Sequence, residues 1–197
     1  MNYSLQALRC STALSRVVLK GSAISLGFCI FACTASFAQQ YWDGSNTTGN
    51  QTVEGGTGQW DGTTTNWTDS AGAVNTNWNP ASPGNNAVFG GTAGIVTVVG
   101  QQRTSTIDFN TAGYVINGGT LNLAGSPDKI INVAAGTATI GSTIIGNDGF
   151  SKGGVGTLIL TGNNTYTGGT LVENGTLQLG NDPNRDYGST GVITGTV

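Results

Sequence analysis

The chain has 197 residues, of which 33 are glycine and only 9% are charged, whereas average proteins contain about 7% glycine and about 25% charged residues. It contains no histidine, which excludes His-based catalytic triads and His metal sites. Residues 39–197 carry four basic and all ten acidic residues, a net charge of −6, which argues against nucleic acid as a partner because such binding requires clustered Lys and Arg.

The first 38 residues predict an export signal. A basic stretch runs to Lys20, an apolar core covers residues 23–32, and Ser36-Phe37-Ala38 offers small residues at a cleavage site before Gln39. This order of segments is typical of a secretory signal peptide. A membrane-spanning helix is disfavoured because the apolar core is shorter than the roughly 20 residues that a span needs.

The three cysteines all lie in this leader, at Cys10, Cys29 and Cys33. A lipoprotein signal at Cys33 is disfavoured by the bulky Phe31 before it. The exported part therefore has no disulfide, although oxidising compartments permit them. Two explanations stay open: chance, or a chain that must remain unfolded until it has crossed a second membrane.

Residues 39–100 contain all four tryptophans, and Trp42 and Trp60 lie in two matched Trp-Asp-Gly segments. The end turns of a repeat protein must cover an open apolar end, and large aromatic side chains suit that task. We therefore expect an N-terminal cap here, followed by the first strands at residues 87–89 and 95–99. The alternative is a carbohydrate-binding face with exposed, coplanar rings of Trp42 and Trp60.

A short motif recurs in the second half of the chain. Gly-Thr followed by alternating apolar residues begins at Gly119, Gly136, Gly156 and Gly175, at intervals of 17, 20 and 19 residues, and a further copy starts at Gly195. Alternate side chains of a strand face opposite sides. Two shared apolar columns are predicted: Leu121, Ala138, Leu158, Leu177 and Val197 in one, and Leu123, Ile140, Leu160 and Leu179 in the other.

Stacking one turn of about 20 residues on the next predicts a β-solenoid. Further strands of each turn are predicted at four apolar pairs: Ile130-Ile131, Ile144-Ile145, Leu171-Val172 and Val192-Ile193. A propeller is disfavoured because its repeats run to about 40–50 residues. An antiparallel sandwich would have no reason to reuse one motif in register.

Residues 153–180, which include Asn163-Asn164-Thr165-Tyr166-Thr167-Gly168-Gly169-Thr170, resemble the passenger-associated transport repeat of autotransporters, also called the autotransporter-associated β-strand repeat. Residues 60–125 are similar to passenger N-termini of the same family. The resemblance implies a parallel β-helix that is exported to the cell surface, outer membrane or medium and aids its own transport. It also implies an outer-membrane translocator barrel as partner, which this sequence lacks, so we expect an N-terminal fragment.

Catalytic chemistry has weak candidates only. Asp182-Pro183-Asn184-Arg185-Asp186 places oxygen ligands at alternate positions, as calcium loops do, but Tyr187 stands where an EF-hand has Gly. Polysaccharide-degrading β-helices need clustered carboxylates, and Asp43, Asp61 and Asp69 are the one loose group. We predict no catalytic residue, cofactor or metal ligand, and a surface ligand of unknown identity.

The sequence thus predicts an all-β chain: a signal peptide at 1–38, a cap with first strands at 39–100, and truncated β-solenoid repeats at 101–197. Its predicted role is that of a non-catalytic passenger segment. A carbohydrate-binding or polysaccharide-degrading module is the alternative.

Overall fold

The computed structural model describes residues 39–79, 85–125 and 128–180, and the backbone of 193–195. The leader predicted at 1–38 lies outside the described residues and stays a prediction. The weak calcium-loop candidate at 182–186 also lies outside them, so the expectation of no metal ligand there stays a prediction. Within the described ranges, no helix has the length and apolar character needed to cross a membrane.

All regular structure in these ranges is β. The strands are β1 (Gln39–Trp42), β2 (Gly58–Trp60), β3 (Trp67–Thr68), β4 (Asn86–Phe89), β5 (Ile95–Thr104), β6 (Thr106–Phe109), β7 (Val115–Leu123), β8 (Ile130–Val133), β9 (Thr137–Ile140), β10 (Thr143–Ile145), β11 (Phe150–Gly153), β12 (Thr157–Leu160), β13 (Thr170–Val172), β14 (Thr176–Leu179) and β15 (Ile193–Gly195).

The strands form two sheets of stacked turns. One has the order β15-β13-β11-β8-β6-β4-β1-β3, and the other β14-β12-β9-β7-β5-β2. From β4 onward, each turn pairs with the turns before and after it in parallel. Two parallel strands that are neighbours in a sheet need a crossover connection. Here the remaining residues of each turn form that connection. The predicted parallel β-solenoid is confirmed.

A bend inside the longest strands creates a third face. β7 turns a corner at Gly118 and Gly119, whose φ angles are 74° and 25°. Its first half pairs with β9 at Ile116, whereas its second half pairs with β10 at Leu121. β5 has the matching irregularity between Val98 and Gln101, so the predicted boundary at residue 100 falls inside a continuous strand.

The apolar columns are confirmed for three of the motif copies. Ala138, Leu158 and Leu177 are register partners in one column. Ile140, Leu160 and Leu179 are partners in the next column. The side chains of Leu158 and Leu160 are buried, as residues at alternate positions of a core-facing strand must be.

The assignment of the first copy to these columns was wrong. Leu121 is paired with Ile144 on the third face, and Ile116 holds the position before Ile140. Leu123 pairs with Thr104 instead. The reason is that β7 carries two faces in one continuous strand, and its Gly-Thr opens the second face, which pairs with β10, whereas Gly136-Thr137 opens the strand that pairs with the first face. Leu121 is nevertheless fully buried.

Glycine is required where two successive turns touch. A Cβ on Gly168 would overlap the backbone nitrogen of Gly149, and a Cβ on Gly149 would overlap the carbonyl oxygen of Gly169. The overlapped atoms are backbone, so they cannot move aside without separating the turns. The Gly168-Gly169 pair is therefore a steric requirement of stacking.

We predict that Gly168→Ala lowers the free energy of unfolding by about 1–3 kcal/mol, the usual cost of overpacking. Urea unfolding followed by circular dichroism measures it. Gly90→Ala is the matched control, because a Cβ there meets nothing within 4 Å, and it should change stability by less than about 0.5 kcal/mol. Equal stability of the two variants would contradict the contact.

Candidate functional site

The four tryptophans form one buried cluster. Trp42, Trp60, Trp67 and Trp78 are each 0% exposed. Their ring centroids are 4.5 Å apart for Trp67 and Trp78, and 5.1 Å apart for Trp60 with either of those two. The rings cross at 45° to 83°, the tilted and edge-on geometry of packed aromatics.

This cluster continues into the apolar columns through Phe89. The Phe89 ring lies 5.6–6.0 Å from the rings of Trp42, Trp60 and Trp67, and it stacks on Phe109 at 5.3 Å. The carbohydrate-binding alternative, which needed exposed coplanar rings at Trp42 and Trp60, is wrong. All four rings are packed inside the core and offer no exposed binding face.

Asp43 closes the loop that follows β1. Its Oδ1 accepts the Glu54 N–H at 2.8 Å, and its Oδ2 accepts the side-chain amides of Asn46 at 3.1 Å and Asn75 at 2.8 Å. Burial raises the pKa of Asp43. Side-chain hydrogen bonding with Asp43, and donation from the amides of Asn50 and Asn46, lower the pKa of Glu54. Asp43 and Glu54 therefore hold the loop after β1 in place through these hydrogen bonds.

The other two carboxylates of the loose group serve turns of their own. Asp61 accepts the backbone N–H and hydroxyl of Thr64 at 2.6 and 2.9 Å. Burial would raise the pKa of Asp61, but the threonine donors outweigh burial and lower it. Asp69 accepts the N–H groups of Ala71 and Ala73 at 3.0 Å. Among the described residues, no group of three or more His, Cys, Asp or Glu could hold a metal ion.

Tyr114 joins the segment at Gly56 to the loop that follows β4. Its hydroxyl lies 2.6 Å from the Gly90 carbonyl and 2.8 Å from the Thr92 carbonyl, and it accepts the Gly56 N–H at 3.3 Å. Burial raises the pKa of Tyr114 to about 12, against a smaller opposing effect of the Gly56 N–H. The phenol is therefore a buried donor that binds two chain segments together.

The pKa of Tyr114 is higher in the folded chain than in the unfolded chain. The contribution of its phenol to stability therefore decreases once the pH is high enough to ionise that phenol in the unfolded chain. We predict that stability falls as pH rises from 10 to 12, by about 2 kcal/mol in total. Tyr114→Phe should lack this decline and be about 1–2 kcal/mol less stable at neutral pH. Tryptophan fluorescence of the cap during urea unfolding reports both effects. A parallel alkaline decline in the two proteins would contradict the assignment.

Within residues 150–180, a buried lysine connects neighbouring turns. Lys152 is 0% exposed and occupies a core-facing position between Ile131 and Val172. Its Nζ donates to the carbonyls of Gly153, Gly154 and Asn174 at 2.7, 2.8 and 3.0 Å. Burial lowers the pKa of Lys152, but three acceptors match the three donors of an ammonium group.

Two further polar side chains of this segment bind across or within turns. Asn164 is buried, and its Oδ1 accepts the Ile144 N–H of the preceding turn at 2.9 Å. The hydroxyl groups of Tyr166 and Thr170 are 2.7 Å apart, and the Tyr166 ring packs edge-on against Phe150 at 5.5 Å. Each conspicuous residue of the segment therefore satisfies a backbone group or fills the core.

We predict that Lys152→Met lowers the free energy of unfolding by about 1–3 kcal/mol, because it leaves carbonyl groups in the interior without donors. Lys129→Met controls for loss of positive charge. Its ammonium pairs at 3.0 Å with Asp148, and the side chains of Lys129 and Asp148 are 9% and 63% exposed. A pair whose carboxylate is open to solvent contributes about 0–1 kcal/mol. A Lys152→Met protein as stable as the wild type would show that apolar packing replaces the ammonium.

Stacked parallel turns, an aromatic end cluster and polar inter-turn links define a β-solenoid repeat protein. Residues 150–179 match the family model of the passenger-associated-transport-repeat. The chain is 38% identical over 164 residues, 82% of its length, to the adhesin BmaC autotransporter of Brucella suis biovar 1 (strain 1330). The resemblance to autotransporter passengers is confirmed.

The matched stretch is 5% of that relative's length, so the chain spans about one twentieth of the curated protein it matches. No solved structure matches the chain. The repeat was predicted at 153–180, and the family match begins three residues earlier, at Phe150. That difference brings Phe150 and Lys152, two residues that hold the turns together, into the repeat.

The role of Lys152 was missed at the sequence level, where it counted only as a charge. One signal was present: Lys152 lies 21 residues after Ile131 and 20 before Val172, at the period of the apolar strand positions. Asn164 and Tyr166 were noted as part of the motif, without a structural role.

Proposed function

We propose that this chain is a non-catalytic part of an autotransporter passenger that is exported and displays its solenoid at the cell surface, where it contributes to adhesion. The observation that carries the proposal is the dependence of each turn on its neighbour. Asn164 needs the Ile144 N–H of the turn before it, and Lys152 needs the Asn174 carbonyl of the turn after it.

Such a chain can cross a membrane extended and gain stability one turn at a time. A single turn orders about 20 residues at roughly 1–2 kcal/mol each and buries few apolar side chains, so it cannot fold alone. Each completed turn offers paired backbone to the next. Folding outside the membrane would then draw the chain outward, which is the transport role we assign to residues 150–179.

The partners follow from the same proposal. An outer-membrane translocator barrel would provide the route, and a ligand on a host or neighbouring cell would bind the displayed surface. The relative is named an adhesin, which supports adhesion as the task. The absence of catalysis is supported by the positions of Asp43, Asp61 and Asp69, whose carboxylates are engaged in turns.

The test displays residues 39–197 on bacteria through an autotransporter barrel and measures the protease-accessible passenger on intact cells. We predict that Lys152→Met combined with Asn164→Ala reduces the displayed amount several-fold, because stacking of the repeat is weakened. Val155→Thr is the control, since Val155 is 73% exposed and its replacement should leave display unchanged.

Adherence of the same bacteria to host cells tests the second half of the proposal. The wild-type chain should raise adherence above that of bacteria displaying the barrel alone. Display that is insensitive to the repeat variant would contradict the transport role. Breakdown of an acidic polysaccharide by the purified chain, lost in Asp61→Asn, would contradict the non-catalytic role.

A further inference from the structure

A shallow groove of about 390 Å³ crosses β8, β11 and β13 on the outer face of the eight-stranded sheet. Ile130, Ser151 and Leu171 are register partners at its floor. Strands in a sheet lie about 4.8 Å apart, so the short Ser151 leaves a depression between two aliphatic side chains. Leu171 is 43% exposed, unlike the buried residues of the inner face.

The rim of the groove is acidic. Asp128 and Glu173 line it and are exposed. Lys129 also lines it, but its ammonium binds Asp148 at 3.0 Å, and its side chain is 9% exposed against 63% for Asp148. The lining carries the carboxylates of Asp128 and Glu173 and the ammonium of Lys129, and with Asp148 beside them the formal charge around the apolar floor is −2.

We propose that this groove binds a lysine or arginine side chain presented by an extended segment of a partner protein, an inference that rests on the proposed surface role. These side chains have an aliphatic stem and a cationic head. The stem would lie over Ser151 between Ile130 and Leu171, and the head would reach the carboxylate of Asp128 or Glu173. Opposite charge also speeds encounter with a basic partner.

A second copy of this chain is a poor occupant on the same grounds. Residues 39–197 contain four basic residues against ten acidic ones. Lys152 is 0% exposed inside the solenoid, and Lys129 belongs to the groove itself. Two such acidic surfaces repel each other, so charge complementarity favours a basic protein of different sequence.

The probes are an oligolysine peptide and the same peptide with every lysine acetylated, titrated against purified residues 39–197 by calorimetry. We expect the charged peptide to bind and the acetylated one to fail. Asp128→Asn with Glu173→Gln should weaken binding about tenfold. Ser151→Leu should weaken it to a similar extent by filling the depression without changing charge.

Asp69→Asn is the matched control, since it removes one exposed carboxylate from the cap and keeps an oxygen acceptor for its turn. It should leave binding unchanged, and circular dichroism should show that every variant is folded. Equal weakening by Asp69→Asn, or full binding by Ser151→Leu, would show diffuse charge attraction and overturn the groove. Absence of binding by the charged peptide would also overturn it.

The adherence assay separates this proposal from the one on which it rests. If displayed wild-type chain promotes adherence and the Asp128→Asn, Glu173→Gln variant adheres equally, the surface role stands and the groove is not its site. If the wild-type chain promotes no adherence, the surface role fails, whereas loss of peptide binding on groove substitution would still establish the site.

Discussion

Parallel pairing between successive turns is the interaction on which the rest of the structure depends. It places Ile116, Ile140, Leu160 and Leu179 in one column. The first three side chains are buried, and Leu179 packs against them partly buried. Parallel pairing also explains why outward positions such as Thr139 and Ile159 are only half-buried. Changing the register of one turn by a single residue would exchange inner and outer faces, and the fold therefore tolerates variation in corner length but not in strand phase.

Three polar side chains of the interior are satisfied by backbone atoms that other segments of the stack supply. Lys152, Asn164 and Tyr114 each bind carbonyl or N–H groups from another part of the stack. Buried polar groups without such partners are costly. These residues are therefore compatible with the interior only when the turns are correctly stacked, and they reinforce the register that the apolar columns set.

Much of the architecture could be predicted from periodicity. The apolar pairs at Ile130-Ile131 and Leu171-Val172 lie in strands β8 and β13, and Ala138, Leu158 and Leu177 share a column. Leu121 was misplaced because a bend inside a continuous strand leaves no mark in an alternating pattern beyond its glycines. The burial of Lys152 could not be predicted locally, because its acceptors include the carbonyl of Asn174, 22 residues away. The orientation of the tryptophan rings likewise could not be predicted locally, because it depends on contacts with residues distant in sequence such as Phe89.

The lysine inside the stack also affects any partly assembled state. While the turn that contains Asn174 is missing, the ammonium of Lys152 has only its two local carbonyls and must be completed by water. The open strand edge then presents a hydrated ammonium next to the apolar Ile131. Open strand edges are the places where chains aggregate. A solenoid that lacks this turn would thus disfavour association of unrelated chains with its open edge. Only its own next turn, which brings the Asn174 carbonyl, would replace the water around the ammonium.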